Sequence, residues 1–456
     1  VTGVVVKEKK SPSYDFSVHA LRRRDLINHI KQQHGNTAKG IVLLLGGFER
    51  DATLFKQESS FLYYTGLHEP GVALIMDLNG DADLYVPNCI DERKKWMSYP
   101  YPFTQESAAL FGMQTVQSLG DACTGYQFHP FFLREQVKGL LDRIDKTIKQ
   151  GGSIFTLSPD SQSGYIDQRL VLNRLATFVP ELTELVVDIS PIVATMRRSK
   201  DQSEIEQIYK AVEITALAQE AAAQAISDGA TESEVQASLE YMFIGSGARP
   251  AFATIVGSGK NSTILHYHDN NAPLKKGDLV VVDIGAEIGH YCADITRTYP
   301  VSGVFTKRQR EIYDIVLETQ EYIASLAKPG IWLSNKDKPE QSLNHLAKKY
   351  LTERGYGAYF PHGIGHFLGL DVHDVGDYSV PLREGDVITI EPGIYIPEEN
   401  IGIRIEDDYW IVKDGVVCLS EFIPKRAEDI EAIVQQVYAD VDDADEEDGD
   451  MDEYDG

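Results

Sequence analysis

The spacing of apolar residues changes character along the chain. Ile41 to Leu45 is an unbroken apolar run closed by Gly46-Gly47, the mark of a short buried strand. Gly71 to Asp77 and Ala82 to Val86 read as two more strands. They flank Leu78-Asn79-Gly80-Asp81, and Asn-Gly is a hairpin signal. From Gln136 to Ile148 the period becomes helical, with Val137, Leu140, Leu141, Ile144 and Ile148 on one face. Residues 1–190 therefore read as an α/β domain.

Near residue 190 the pattern shifts. Ser190-Pro191 reads as a break, and Arg197-Arg198-Ser199-Lys200 is a basic stretch. A long amphipathic helix follows, with Ile205, Ile208, Tyr209 and Val212 on one face. Thr231-x-x-Glu234 has the form of a capping box opening a second helix. A third spans about Arg308 to Ala327, striped by Ile312, Ile315, Val316, Thr319, Ile323 and Leu326. Strands are expected over Leu279 to Ala286, Cys292 to Pro300, Val387 to Ile396 and Gly402 to Val412. Residues 191–438 thus read as helices on a mostly antiparallel sheet, and the whole chain as α+β.

Composition narrows the classes. The 456 residues carry 43 Lys/Arg against 70 Asp/Glu, a net charge of −27. Such a chain repels nucleic-acid phosphates and anionic membranes, so neither is an expected partner. Eleven of the acids lie between Asp440 and Asp455 with no base among them, and residues 439–456 read as a disordered acidic tail. Ile41–Leu45 is far shorter than the roughly 20 apolar residues of a membrane span. No basic segment followed by an apolar one suggests a secretion signal. Four scattered cysteines without a Cys-x-x-Cys fit a reduced, cytoplasmic setting.

Two carboxylates then stand out. Asp283 lies inside Leu279-Val-Val-Val-Asp283-Ile-Gly285, where Asp is depleted and seldom buried unless paired. Asp294 lies in the following strand. The two are equidistant from a centre between Ile288 and Gly289, inside the plausible turn 287–290. A symmetric hairpin would oppose them with Cβ atoms about 4.5–5.5 Å apart, destabilising unless a proton or cation lies between. Glu391 and Glu406 repeat the arrangement about a centre between Glu398 and Glu399, although Pro392-Gly393 could add a bulge. One such acid is most often a turn cap or an arginine's partner. Two opposed pairs in one domain point to divalent cations, with Mn, Mg or Co suited to oxygen ligands.

Three of the twelve histidines, His362, His366 and His373, fall within twelve residues. One neutral imidazole could complete a carboxylate site, and others could hydrogen-bond a developing oxyanion. His266 and His268 precede Asp283 closely enough to come from a loop over the same pocket. Gly363-x-Gly365-x-x-x-Gly369 is not a dinucleotide fingerprint. No Gly-x-Ser-x-Gly, His-Glu-x-x-His or P-loop sequence occurs.

These residues resemble the metal-dependent Xaa-Pro peptidases of the pita-bread fold, aminopeptidase P and prolidase. The shared pattern is Asp283, Asp294, His366, Glu391 and Glu406. Around it lie Ile255-Val-Gly-Ser-Gly259, Leu265-His266-Tyr267, Ala293 to Pro300, His362-Gly-Ile-Gly-His366, Leu370 to Gly376, Glu391-Pro-Gly-Ile-Tyr395 and Gly402-Ile-Arg-Ile-Glu406. A shorter match, Phe61 to Gly71, resembles the aminopeptidase P N-terminal domain. The resemblance implies a curved, mostly antiparallel catalytic sheet with helices behind a smaller α/β domain. It implies two divalent ions, manganese first with cobalt or zinc as alternatives, held by those five residues. Glu391 would be the general base, and His373 and His266 would bind the scissile carbonyl. His362, with Tyr395, would line the proline pocket, Arg404 would support the site electrostatically, and Thr296 would back the ligands. Asp51 is a candidate for the substrate N-terminus. Substrates would be small peptides with proline second, and the assembly a homodimer or homotetramer.

One position departs from the pattern: Phe252 stands where the family often has Tyr, fourteen residues before His266. The short interval from Glu391 to Glu406 favours an Xaa-Pro aminopeptidase over an Xaa-Pro dipeptidase. Two further readings use the same fold: a non-catalytic histone- or protein-binding module, which the acidic tail brings to mind, and a metal-free amidinohydrolase, which would not need all five ligands.

Overall fold

The computed structural model describes residues 16–49, 53–89, 95, 103–123, 130–159 and 165–435. Asp51 and the acidic segment 439–456 lie outside the described residues. The chain divides into two compact units, Val1–Arg197 and Arg198–Gly456.

The first unit is built on six strands: β1 (Gly40–Leu45), β2 (Ala73–Asp77), β3 (Ala82–Val86), β4 (Thr115–Ser118), β5 (Ser153–Thr156) and β6 (Val186–Asp188). Their order is β4-β3-β2-β1-β5-β6, antiparallel in the middle and parallel at both ends. The expected hairpin joins β2 to β3, with Asp77 Oδ1 accepting from the N–H groups of Asn79, Gly80 and Asp81. The helix Lys138–Lys149 buries Leu140, Leu141 and Ile144 against β1 and β5, as its spacing predicts. Ser190-Pro191 does not break the chain. It opens the helix Ser190–Arg198, because proline's fixed φ and missing N–H are tolerated in a first turn.

In the second unit the basic stretch turns inward. Arg198 holds Asp386 through two bonds of 2.7 and 2.6 Å, and Lys200 meets Asp374 at 2.9 Å, all four side chains being buried. The long helix Gln202–Ala225 starts at a capping box, Asp201 with Glu204, and buries Ile205, Ile208 and Val212. Tyr209 is 41% exposed and lies off that face. The helix Glu232–Gly245 opens with the expected Thr231–Glu234 box, and Lys307–Leu326 opens with a box of Thr306 and Gln309.

The strands of this unit are β7 (Arg249–Pro250), β8 (Ile255–Ser258), β9 (Leu279–Ile284), β10 (Ala286–Ile288), β11 (Tyr291–Cys292), β12 (Ile295–Pro300), β13 (Val387–Ile390), β14 (Gly393–Ile396), β15 (Ile401–Arg404), β16 (Asp407–Val412) and β17 (Gly415–Cys418). Every pairing among them is antiparallel. The four long strands expected from the sequence are each interrupted. The breaks fall at Gly285, at Ala293-Asp294, at Glu391-Pro392 and at Ile405-Glu406. Asp294, Glu391 and Glu406 therefore sit where the ladder is interrupted, whereas Asp283 lies inside β9, one residue before the break at Gly285.

The first hairpin register differs from the expected one by one residue in its centre. Gly289 and His290 both adopt positive φ (57° and 71°), so they form the two-residue turn, and Ile288 pairs with Tyr291. Asp283 consequently faces Thr296, and Asp294 is its diagonal neighbour on the same face. The second hairpin keeps its expected register. β13–β16 and β14–β15 share one centre across the break, so Pro392-Gly393 inserts no extra residue and Glu391 stands opposite Glu406.

Candidate metal centre

Asp283 is carried by a strand whose six residues are all buried, and this fixes its carboxylate at the floor of a cavity. Gly285 just after it must be glycine, since a Cβ there would lie 1.8 Å from Ala293 O. That close approach bends the chain so that Asp294 enters the same cavity, its backbone N–H held by Asp408 Oδ2 at 3.2 Å. Glu391 and Glu406 enter from the ends of β13 and β15.

His366 completes the group from the loop before β13. Its backbone is locked to Thr389 by two hydrogen bonds, His366 N–H to Thr389 Oγ1 and Thr389 N–H to His366 O. Its Nδ1 lies 3.1 Å from Phe367 O, an acceptor, so Nδ1 carries the proton. The Nε2 lone pair is thereby presented to the acids, 3.4 Å from Asp294 Oδ2 and 3.7 Å from Glu391 Oε1. Ligand atoms of Asp294, His366 and Glu406 all lie within 4.8 Å of one another.

The electrostatics of this group are unfavourable without a cation. Burial, then the charges of Asp283, Asp408 and Glu391, push the Asp294 carboxyl well above its usual range. Burial and the neighbouring acids do the same to Glu406. Burial raises Glu391 to about 7, with His366 and Arg404 opposing. Arg404 reaches Asp283 Oδ2 at 2.6 Å, and Thr296 donates to Glu406 Oε2 at 2.7 Å. Asp283 Oδ1 and Asp294 Oδ1 are buried with no hydrogen-bond partner. Two orphaned acceptor oxygens among four carboxylates are what a divalent ion would satisfy, so the residues fit such a group.

A relay of donors borders the acids. Arg404 Nη1 donates to Tyr395 OH at 2.9 Å, and that hydroxyl lies 2.9 Å from His362 Nε2. His362 Nδ1 faces Gly363 O at 2.8 Å, so Nε2 is the acceptor and the Tyr395 proton points to it. Burial, and then Arg404, lower His362 to about 4, so it is neutral at pH 7. His373 packs edge-on to His366 with ring centroids 4.4 Å apart. Burial, followed by His366 and His266, lowers it as well.

His266 arrives on a loop anchored from below. Glu232, fully buried, accepts from Ser258 N and Oγ, Asn261 Nδ2, Tyr267 OH and Ala272 N. Asn270, at φ 43°, ties the loop to Val256, Thr254 and Gln236. His268 stacks on His266 at 6.2 Å.

The cavity, of about 370 Å³, is lined by Asp283, Asp294, His366, Glu391, Glu406, Arg404, His362, His373, His266 and Tyr395. All sequence candidates except Asp51 are thus brought together. Phe252, Leu265 and Val372 supply an apolar wall that the sequence did not single out, apart from Phe252. Asp408 was also missed, although an acid in the apolar strand β16 is the same signal that flagged Asp283.

Comparisons with known proteins point to one family. The sequence pattern of metallopeptidase family M24 matches residues 206–413, and that of the aminopeptidase P N-terminal domain matches 19–125. An Xaa-Pro aminopeptidase of Escherichia coli is 33% identical over 83% of this chain and 89% of its own length. The chain belongs to metallopeptidase family M24. A substrate complex of E. coli aminopeptidase P superposes with a TM-score of 0.76 at 28% identity, covering 93% of this chain and 99% of the other. An Xaa-Pro dipeptidase of Pyrococcus horikoshii is 44% identical, but over only 50% of this chain and 64% of its own length. The fold is therefore the α+β aminopeptidase P fold with a pita-bread M24 unit, and M24 membership carries divalent-metal use. Among the described residues no helix is long and apolar enough to cross a membrane.

Proposed function

We propose that this chain is an Xaa-Pro aminopeptidase, hydrolysing the peptide bond between an N-terminal residue and a following proline. The observation that carries the reading is the convergence of four carboxylates and His366 around two unsatisfied buried oxygens. Asp283, Asp294, His366, Glu391 and Glu406 would hold two divalent ions, with manganese the best match to an oxygen-rich set. When bound, the ions supply Lewis-acid polarisation of the carbonyl and a nucleophile at neutral pH.

The chain's own residues would do the rest. Glu391, at the edge of the carboxylate group, would take a proton from the attacking water and return it to the leaving nitrogen. His373 and His266 offer N–H groups toward the developing oxyanion. An X-Pro amide has no N–H and a fixed ring, so recognition must come from shape. His362, held neutral beside Tyr395, presents a flat face for that ring. Arg404 buttresses Asp283 and Tyr395 together.

The test is product analysis. Manganese-loaded protein should release glycine from Gly-Pro-Pro-type peptides, and Glu391→Ala should lose at least about 10³-fold in kcat while keeping its far-UV spectrum. Turnover of Gly-Pro alone would favour the dipeptidase reading, which the partial P. horikoshii match keeps in view. The binding-module and metal-free readings leave the complete carboxylate set unexplained.

A further inference from the structure

Two buried glutamines beneath the site have no part in the chemistry above. Gln219 comes from the middle of the Gln202–Ala225 helix and Gln320 from the Lys307–Leu326 helix, at 2% and 0% exposure. Gln219 Nε2 donates to Val282 O at 3.2 Å and to Ile295 O at 2.9 Å. These are the carbonyls just before Asp283 and just after Asp294. Gln320 Nε2 donates to Ile390 O at 3.0 Å and Ile405 O at 3.2 Å, the carbonyls just before Glu391 and Glu406. Each amide therefore spans one pair of acid-bearing segments with its two N–H groups.

The orientation of the Gln320 amide is fixed independently. Lys425 Nζ, which can only donate, meets Gln320 Oε1 at 3.2 Å. For Gln219, whose Oε1 meets the Tyr299 hydroxyl at 3.0 Å, the two backbone carbonyls, which only accept, set the orientation. The NH₂ ends therefore face the strands. Ile295 and Ile390 end their strands beside Asp294 and Glu391, Ile405 lies just outside β15, and Val282 lies within β9, so the amides add side-chain donors at or next to the interruptions of the ladder. A primary amide is suited to the task, because its two donors are held at a fixed angle and link two strands at one point.

We propose that Gln219 and Gln320 are positioning residues that set the spacing of the two carboxylate pairs, and through it the affinity for divalent ions. The inference rests on the metal reading above. A purely structural role, capping buried carbonyls, would lower stability and leave ion affinity alone.

The test uses Gln219→Met and Gln320→Met, which keep length and lose both donors, with Mn²⁺ titrated in competition with a chelating indicator. Val316→Ala, a buried truncation on the Gln320 helix, serves as a control for lost stability. Each methionine variant should bind Mn²⁺ about 10–100-fold more weakly, the usual effect of removing a group that orients a ligand. Val316→Ala should lower Tm with affinity unchanged. Should a methionine variant not fold, Gln219→Asn, which keeps the amide but shortens its reach to Val282 O and Ile295 O, should still weaken Mn²⁺ binding measurably. Methionine variants that bind Mn²⁺ as tightly as the unaltered protein would overturn the inference while leaving the metal reading intact. Failure of the unaltered protein to bind would overturn both.

Discussion

At the scale of single residues, the ionisable groups buried in the second unit behave in two ways. Some are neutralised by a partner, as Arg198 and Asp386 are. Removing one member of such a pair leaves a charge stranded, so Arg198→Met should cost about 3–5 kcal/mol in urea unfolding. A cost below about 1 kcal/mol would mean the pair is not what holds that corner. Others lack enough counter-charge within the protein, and these are the acids around Asp294. The contrast explains why the site was legible in sequence: Asp283 violates an apolar strand pattern, and such violations mark either a pair or a ligand. Gln219 and Gln320 were not legible, because a glutamine on a helix breaks no rule until the strands behind it are known to part.

Elements show how far periodicity reaches. The helices Gln202–Ala225 and Lys307–Leu326 were readable from their stripes and Glu232–Gly245 from its capping box, whereas the helix Ser17–His34 was not read. Thr306 accepts from Gln309 N–H and the Gln309 side chain returns the bond, a Thr-x-x-Gln signal that was present but unread. Thr306→Ala should cost about 1 kcal/mol in chemical denaturation, and no measurable change would show the box to be redundant. The second hairpin register was readable because it needed only symmetry. The first was displaced because His290 takes a positive φ, which its residue type does not announce. The interruptions at the acids were hidden for a related reason: an apolar run predicts a strand, and only the neighbouring segments decide where it stops pairing. Gly285→Ala tests one such stop. Its Cβ would strike backbone at 1.8 Å, so the variant should lose soluble expression or metal binding, and a well-behaved variant with full Mn²⁺ affinity would disprove the constraint.

For the whole molecule, the acids make stability, pH and metal one linked equilibrium. Asp294, Glu406 and Glu391 have carboxyl pKa values raised by folding, the last to about 7. A raised folded-state pKa stabilises the fold when the group is protonated, and that contribution fades as pH climbs through the folded value. Metal-free protein should therefore weaken between about pH 5 and pH 8, while ion-loaded protein, whose acids are already charged and matched, should not. Scanning calorimetry with and without Mn²⁺ should show a Tm gap that widens with pH. A gap constant across that range would mean the acids do not titrate with folding.

Glu232 has a consequence of another kind. Its carboxylate faces only uncharged donors, five of them, and no Lys or Arg among the described residues pairs with it. Dissolved ions screen charges that water can reach, and this one is sealed. The arm that carries His266 should accordingly hold its place in brine as in dilute buffer, whereas the exposed Arg308–Glu399 contact elsewhere in the same unit should loosen.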